Sequence, residues 1–196
     1  LTGCDRRPQN PVLTLHGATM GTTYSVQVVD PPATLDLSAL QRKIDAELEQ
    51  VNAQMSTYRA DSELSRFNAG PAMIWVPVSA ALAETVRTAK RIGAASQGAL
   101  DVTVGPLVNL WGFGPDLTGD EVPAAAMIQA ALARTGLDQL EVRATSPALR
   151  KARAELYVDL SAIAKGHGVD RVATLLTAAG IDDFLVEIGG ELYGHG

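Results

Sequence analysis

Apolar and polar residues alternate through Tyr24, Val26 and Val28, with Ser25 and Gln27 between them. That two-residue period is the signature of a half-buried strand. Residues 12–30 predict two strand-like pieces around Gly17-Ala18-Thr19-Met20-Gly21, where the glycines mark a tight turn or a close backbone approach. Pro31-Pro32 ends the second piece. The period then changes: Leu40, Ile44, Leu48, Val51 and Met55 recur at helical spacing, and Ser38-x-x-Gln41 reads as their capping box. A short capped helix is expected over residues 61–68. A longer one follows Ser79, with Leu82, Val86, Ala89 and Ile92 inward and Gly93 as its stop. Trp75-Val76-Pro77-Val78 reads as a short extended piece.

Residues 98–114 are apolar and glycine-punctuated, and periodicity does not separate helix from strand there. Pro106 at the head of residues 107–111 points to a short buried helix. Pro123 opens another helix, with Met127, Ala131 and Leu132 inward and Gly136 at its end. Residues 140–142 and 155–158 read as strands on either side of Thr145-Ser146-Pro147. Strands dispersed among helices, with hairpin-like segments, predict an α+β fold over a regular doubly wound sheet.

The stretch on which the chain turns is Tyr157-Val158-Asp159-Leu160-Ser161-Ala162-Ile163-Ala164-Lys165-Gly166-His167-Gly168. An apolar run leads to an acid, then to small residues, then to a lysine beside glycine. An amphipathic helix follows, with Val169, Val172, Leu175, Leu176 and Ala179 on one face and Gly180 as the stop. A strand-like run over residues 184–188 closes on Gly189-Gly190. A helix N-terminus with glycines nearby and a lysine can cradle phosphate. The pattern is neither a Walker A loop nor a G-x-G-x-x-G turn, and its spacing alone fits an ordinary αβ turn better than a nucleotide site.

A net charge of −6 over 196 residues, with no basic stripe, argues against nucleic acid as a partner. The length supports one domain with a real core, or most of a slightly larger one. H-E-x-x-H, C-x-x-C and G-x-S-x-G are all missing, and His16, His167 and His195 are scattered. The candidate chemistry therefore falls to acids, a lysine and backbone. Asp159 at a strand end could accept a hydrogen bond from a base or ribose edge, Lys165 could hold phosphate, and carbonyls of residues 161–164 could help ligate Mg²⁺. Asp101 beside its apolar run is either a cap or turn former or a ligand contact.

Both ends read as cut. The chain starts at Leu1, and residues 191–196 follow a strand with no capping segment. Leu1-Thr2-Gly3-Cys4 resembles a bacterial lipobox, which would make Cys4 the lipidated residue, and a polar tether reaches Pro11. Asp5 after the cysteine resembles the signal that retains lipoproteins at the inner membrane. Residues 1–11 are thus expected to be lipobox remnant and tether, and residues 12–196 the domain.

Four separated motifs then carry a family resemblance: Gly17-Ala18-Thr19-Met20-Gly21-Thr22, Met55-Ser56-Thr57-Tyr58, Gly98-Ala99-Leu100-Asp101 with Val104-Gly105-Pro106-Leu107, and residues 158–166. In order and content they resemble the ApbE family of bacterial FAD:protein FMN transferases, the flavin-trafficking lipoproteins. The resemblance covers nearly all of the chain after the tether. It implies a T-fold-related α+β domain, incomplete at its C-terminal end. It implies Mg²⁺-dependent transfer of FMN from FAD to a threonine of an acceptor protein, such as a redox-pump subunit, with release of AMP. The alternatives are an FAD pyrophosphatase and a non-enzymatic flavin-binding lipoprotein. By the same resemblance Met20, Tyr58, Ala99, Leu100, Asp101, Asp159 and Lys165 would contact FAD, Tyr58 against a ring system and Lys165 near phosphate. Ala162 would offer its carbonyl to Mg²⁺, with the family's remaining metal ligands, an acid and a threonine, lying beyond the stretch that matches Gly189-Gly190. The implied location is the periplasmic side of the inner membrane, through a lipid anchor.

Overall fold

The computed structural model describes residues 11–115 and 121–196. In chain order its elements are β1 (Val12–Thr19), β2 (Thr22–Val29), α1 (Leu37–Met55), α2 (Glu63–Ala69), β3 (Val76–Pro77), α3 (Ala80–Ala95), α4 (Gly105–Leu110), α5 (Ala125–Leu132), β4 (Leu140–Arg143), β5 (Ala148–Lys151), α6 (Ser161–Ala178), β6 (Phe184–Ile188) and β7 (Glu191–His195), with a 3₁₀ turn at Leu137–Gln139. The mixture is α+β. The chain divides into two compact units, residues 1–49 with 165–196, and residues 50–164.

The first unit carries an antiparallel sheet in the order β1-β2-β6-β7. Met20 and Gly21 both have positive φ, 48° and 70°. Two left-handed residues make the turn whose twist matches that of the flanking strands, and glycine takes the second place without strain. Alternation puts Tyr24, Val26 and Val28 of β2 and Phe184, Val186 and Ile188 of β6 on one face. Leu40, Ile44 and Leu48 of α1 and Val169, Val172, Ala173 and Leu176 of α6 complete that core. Each fully buried aliphatic side chain there contributes about 1.5–3 kcal/mol.

Helix α1 is capped two residues earlier than its sequence pattern indicates. Asp36, not Ser38, is the cap: its Oδ1 accepts the Ala39 amide at 3.0 Å and its carbonyl accepts the Leu40 amide at 2.9 Å. A carboxylate suits a helix N-terminus better than a hydroxyl already inside the first turn. Gln41 is thereby free to donate through Nε2 to the Tyr24 hydroxyl. That hydroxyl donates to Asp45 Oδ1 at 2.5 Å. Gly17 lies beneath the Tyr24 ring, where an added Cβ would sit 2.4 Å from Cε1. This is the close approach expected of that glycine.

Helix α6 begins at Ser161, so Lys165, Gly166 and His167 are helical residues and not part of a loop before the helix. Gly180 ends it with φ of 73°, as expected. Ala179 lies past the last helical residue and is exposed, so Ala173 takes its place on the buried face.

The second unit holds an antiparallel sheet in the order β3-β5-β4. Ser62 caps α2 by accepting the Ser65 amide at 2.9 Å, and Ser79 caps α3 by accepting that of Leu82 at 3.2 Å. Helix α3 runs through Gly93 to Ala95. Gly93 is there for packing: an added Cβ would fall 2.4 Å from Leu137 Cδ1 and 2.7 Å from the Leu100 carbonyl. The turn out of α3 closes where the Gly98 amide donates to the Gly93 carbonyl at 2.8 Å. Ile92 of α3 and Met127 and Leu132 of α5 were expected inward and are exposed; both helices bury a narrower stripe than their apolar content implies. Residues 155–158 form no strand. Tyr157 makes one parallel bridge to Val104, the Leu156 amide donates to the Arg153 carbonyl at 3.3 Å, and the Asn68 side chain holds Val158.

Candidate functional site

The second unit brings Asp101 and Asp159 onto neighbouring segments. The Asp159 amide donates to the Val102 carbonyl at 2.8 Å. Gly105 allows this approach, since a Cβ there would meet the Tyr157 ring at 2.2 Å and the Tyr157 carbonyl at 2.8 Å. The two acids are built alike. Asp101 Oδ1 accepts the Thr103 amide at 2.7 Å and the Thr103 hydroxyl at 2.6 Å. Asp159 Oδ1 accepts the Ser161 amide at 2.7 Å, which caps the first turn of α6. Each acid is held by its own backbone two residues on, the Asx-turn habit of aspartate. The Thr103 hydroxyl also accepts the Gly136 amide at 2.7 Å, a second anchor for Asp101. For both acids the bonds fall on Oδ1. The turn-forming reading of Asp101 is the one the hydrogen bonds show, with Oδ1 shaping the turn.

Four further candidates lie in this unit. Tyr58 is 66% exposed. Its hydroxyl is tethered, donating to the Phe113 carbonyl at 2.7 Å, which fixes an otherwise solvent-facing ring as a flat surface. Ala99 is exposed and Leu100 half-buried, directly before Asp101. Ala162 is in the first turn of α6. A helical carbonyl there points along the axis toward the fourth following amide.

The first unit holds Met20 and Lys165. Met20 is half-buried and packs on the core at the β1–β2 turn. Its Cε approaches Gly168, where a Cβ would lie 2.8 Å away. Lys165, one turn earlier on α6, runs past Gly189, where a Cβ would fall 3.2 Å from Lys165 Cδ and 2.8 Å from Thr22 Cγ2. So Gly168 and Gly189 are the space that lets these two side chains lie as they do. His167 lies between Lys165 and Gly168 in sequence. Burial, with the Arg171 guanidinium adding to it, lowers its pKa below the usual histidine value. Its Nε2 is buried with no hydrogen-bond partner among the described residues.

Cys4 lies outside the described residues. For Mg²⁺, no group of three or more His, Cys, Asp or Glu that could hold a metal occurs among the described residues. Mg²⁺ favours near-octahedral oxygen ligation with at least one carboxylate. The Ala162 carbonyl is one candidate ligand, and the described residues do not make a site around it.

Asn68, Thr103 and Lys151 were not singled out by sequence. Asn68 stands in a helix motif whose pattern shows only a cap and an apolar stripe, and a lysine at the end of a polar strand reads as surface. Yet Lys151 is fully buried, and Asn68 is buried with both ends of its carboxamide engaged.

The mixture of helices with two antiparallel sheets makes this an α+β protein. The ApbE family's profile matches residues 20–196, and the chain belongs to that family. It is 48% identical over 192 residues to a Vibrio cholerae protein named FAD:protein FMN transferase, with 98% of this chain and 56% of that protein covered. The solved flavin transferase ApbE from Vibrio cholerae superposes with a TM-score of 0.91 at 49% identity, covering 95% of this chain and 60% of that one. The apo flavinyl transferase ApbE from Pseudomonas stutzeri gives 0.88 at 42%, covering 96% and 62%. The chain thus spans little more than half the length of the relatives it matches.

Proposed function

We propose that the protein transfers FMN from FAD to a threonine hydroxyl of an acceptor protein and releases AMP. The observation that carries the reading is agreement along the whole chain with a Vibrio cholerae FAD:protein FMN transferase, 48% identical across 98% of this chain. In the reaction the threonine oxygen attacks the FMN-side phosphorus, the bond from that phosphorus to the bridging oxygen breaks, and AMP departs. The hydroxyl proton passes to a base. FMN stays on the acceptor as a phosphoester.

The chain's own residues would act by binding and by placing charge. Lys165 offers a positive charge to the pyrophosphate. Asp101 and Asp159, each with Oδ1 committed to its turn, offer their other oxygen to polar edges of the nucleotide. Tyr58 presents a tethered ring to a planar group, and Met20, Ala99 and Leu100 supply apolar contact. Mg²⁺ would draw charge from the phosphates. Among the described residues its candidate ligand is the Ala162 carbonyl, in the first turn of α6. The lipobox-like Leu1-Thr2-Gly3-Cys4 supports anchoring through Cys4 at the periplasmic side of the inner membrane, where redox-pump subunits would be accessible acceptors.

The test is incubation of the full-length protein with FAD and Mg²⁺, with and without an acceptor. AMP together with flavinylated acceptor supports transfer. AMP and free FMN without acceptor would make it a pyrophosphatase, and tight flavin binding without AMP would make it a carrier.

A further inference from the structure

Asn68 and Val158 are 90 residues apart in sequence and joined by two hydrogen bonds. The Val158 amide donates to Asn68 Oδ1 at 2.9 Å, and Asn68 Nδ2 donates to the Val158 carbonyl at 2.8 Å. Both bonds are buried. This is the pairing a neighbouring strand would give, made by one side chain. On the other side of the segment, Tyr157 bridges Val104 and the Asp159 amide bonds the Val102 carbonyl. Residues 157–159 are therefore clamped from two directions, although no strand forms there. Asn68 is itself held. Its carbonyl accepts from Lys151 Nζ at 2.5 Å, and that ammonium also donates to the carbonyls of Ala154 at 2.9 Å and Leu156 at 3.5 Å. Lys151 is wholly buried and makes no ion pair among the described residues. A buried cation spent on three carbonyls is a costly fixture, and its bonds converge on the end of α2 and the approach to Asp159.

We propose that Asn68, seated by Lys151, is a positioning residue for FAD binding. By fixing the Val158 backbone it sets the direction of the Asp159 carboxylate and the start of α6. This rests on the functional reading above. Asn68 touches no reacting atom. Its effect reaches the ligand through Val158 and Asp159, so it shows in the affinity for FAD and in KM more than in kcat.

The experiment measures FAD dissociation constants, KM, kcat and melting temperature for the full-length wild-type, Asn68→Ala and Asn68→Asp proteins, at a temperature where each is folded. Losing one well-made buried hydrogen bond is worth about a factor of ten in an equilibrium constant. The expected result is FAD affinity weaker by about tenfold in Asn68→Ala and by more in Asn68→Asp, whose carboxylate would face the Val158 carbonyl. The wild-type protein adds a readout that needs no variant: exchange of the Val158 amide proton, which Asn68 holds, slows when FAD binds. A lowered melting temperature with unchanged FAD affinity would make Asn68 a fold residue only and overturn the proposal. So would Val158 exchange indifferent to bound FAD. A wild-type protein that does not bind FAD overturns the functional reading itself, before any variant is compared.

Discussion

The amide of Asp159 donates to the carbonyl of Val102 at 2.8 Å, which lays the segment bearing one acid beside the segment bearing the other, Asp101. Since Asp159 Oδ1 accepts the Ser161 amide at 2.7 Å, the residue serves the helix and, on our reading, the nucleotide. Two substitutions separate these roles. Asp159→Asn keeps an acceptor for the Ser161 amide and loses the charge. Asp159→Ala loses both. We expect Asp159→Ala to cost about 1 kcal/mol of stability and Asp159→Asn a few tenths, while both weaken FAD binding by about tenfold. Thermal unfolding and flavin fluorescence titration check this. Equal stability of the two variants would remove the capping role, and unchanged FAD affinity in both would remove the ligand role.

Lys165 is half-buried on α6, its stem passing Gly189. Lys165→Ala takes away the charge offered to the pyrophosphate and little packing. FAD affinity or turnover should fall at least tenfold, with the melting temperature shifted by only a few degrees. Unchanged FAD affinity and rate would remove the phosphate contact.

Gly168 leaves room for Met20. A Cβ there would lie 2.8 Å from Met20 Cε, 3.3 Å from Ile188 Cδ1 and 3.5 Å from Leu48 Cδ2. Gly168→Ala should destabilise by about 1–3 kcal/mol, the usual cost of over-packing. The nearest clash is with the tip of a flexible side chain, so Met20→Ala should recover part of the loss, with a coupling of at least about 0.5 kcal/mol. A double-mutant cycle by denaturant unfolding measures it, and additive losses would mean that Met20 does not occupy that space.

Tyr24 gives a pH signature. Burial first, and then the hydrogen bond to Asp45 and its charge, raise the phenol pKa well above the ordinary 10.0. The folded protein then holds this proton more tightly than the unfolded chain does. Its contribution is fully present below about pH 10 and declines as pH rises above that toward the folded value. Tyr24→Phe should lose about 1 kcal/mol at neutral pH and lose less on going from pH 9 to pH 11 than the wild type. Parallel stability curves for the two proteins over that range would refute the assignment.

The strands and long helices were legible because their periods are written in single residues. Tyr24, Val26 and Val28 mark β2, and Leu40, Ile44 and Leu48 mark α1. Ends were less legible. Asp36 and Ser38 are both good caps, and only the hydrogen bonds choose between them. Lys165-Gly166-His167-Gly168 reads as a turn because glycines usually break helices. Here Gly168 is kept inside α6 for the Met20 contact, a tertiary reason invisible along the chain. Residues 155–158 have the composition of a strand, but their partner is the Asn68 side chain and not another strand. For the proposed ligand contacts, the candidacy of Asp101, Asp159 and Lys165 followed from motif resemblance. The devices that hold them did not, because a threonine hydroxyl, an asparagine amide and a buried lysine carry no periodic signal.

The central claim is tested most directly by following the FMN-side phosphate of FAD. Full-length protein, Mg²⁺ and an acceptor carrying the target threonine are incubated with FAD radiolabelled at that phosphorus, and the denatured, washed acceptor is counted. Transfer predicts label retained on the acceptor, one label per AMP released, and none retained when that threonine is replaced by alanine. Label found wholly in free FMN, or still in intact FAD, would contradict the account.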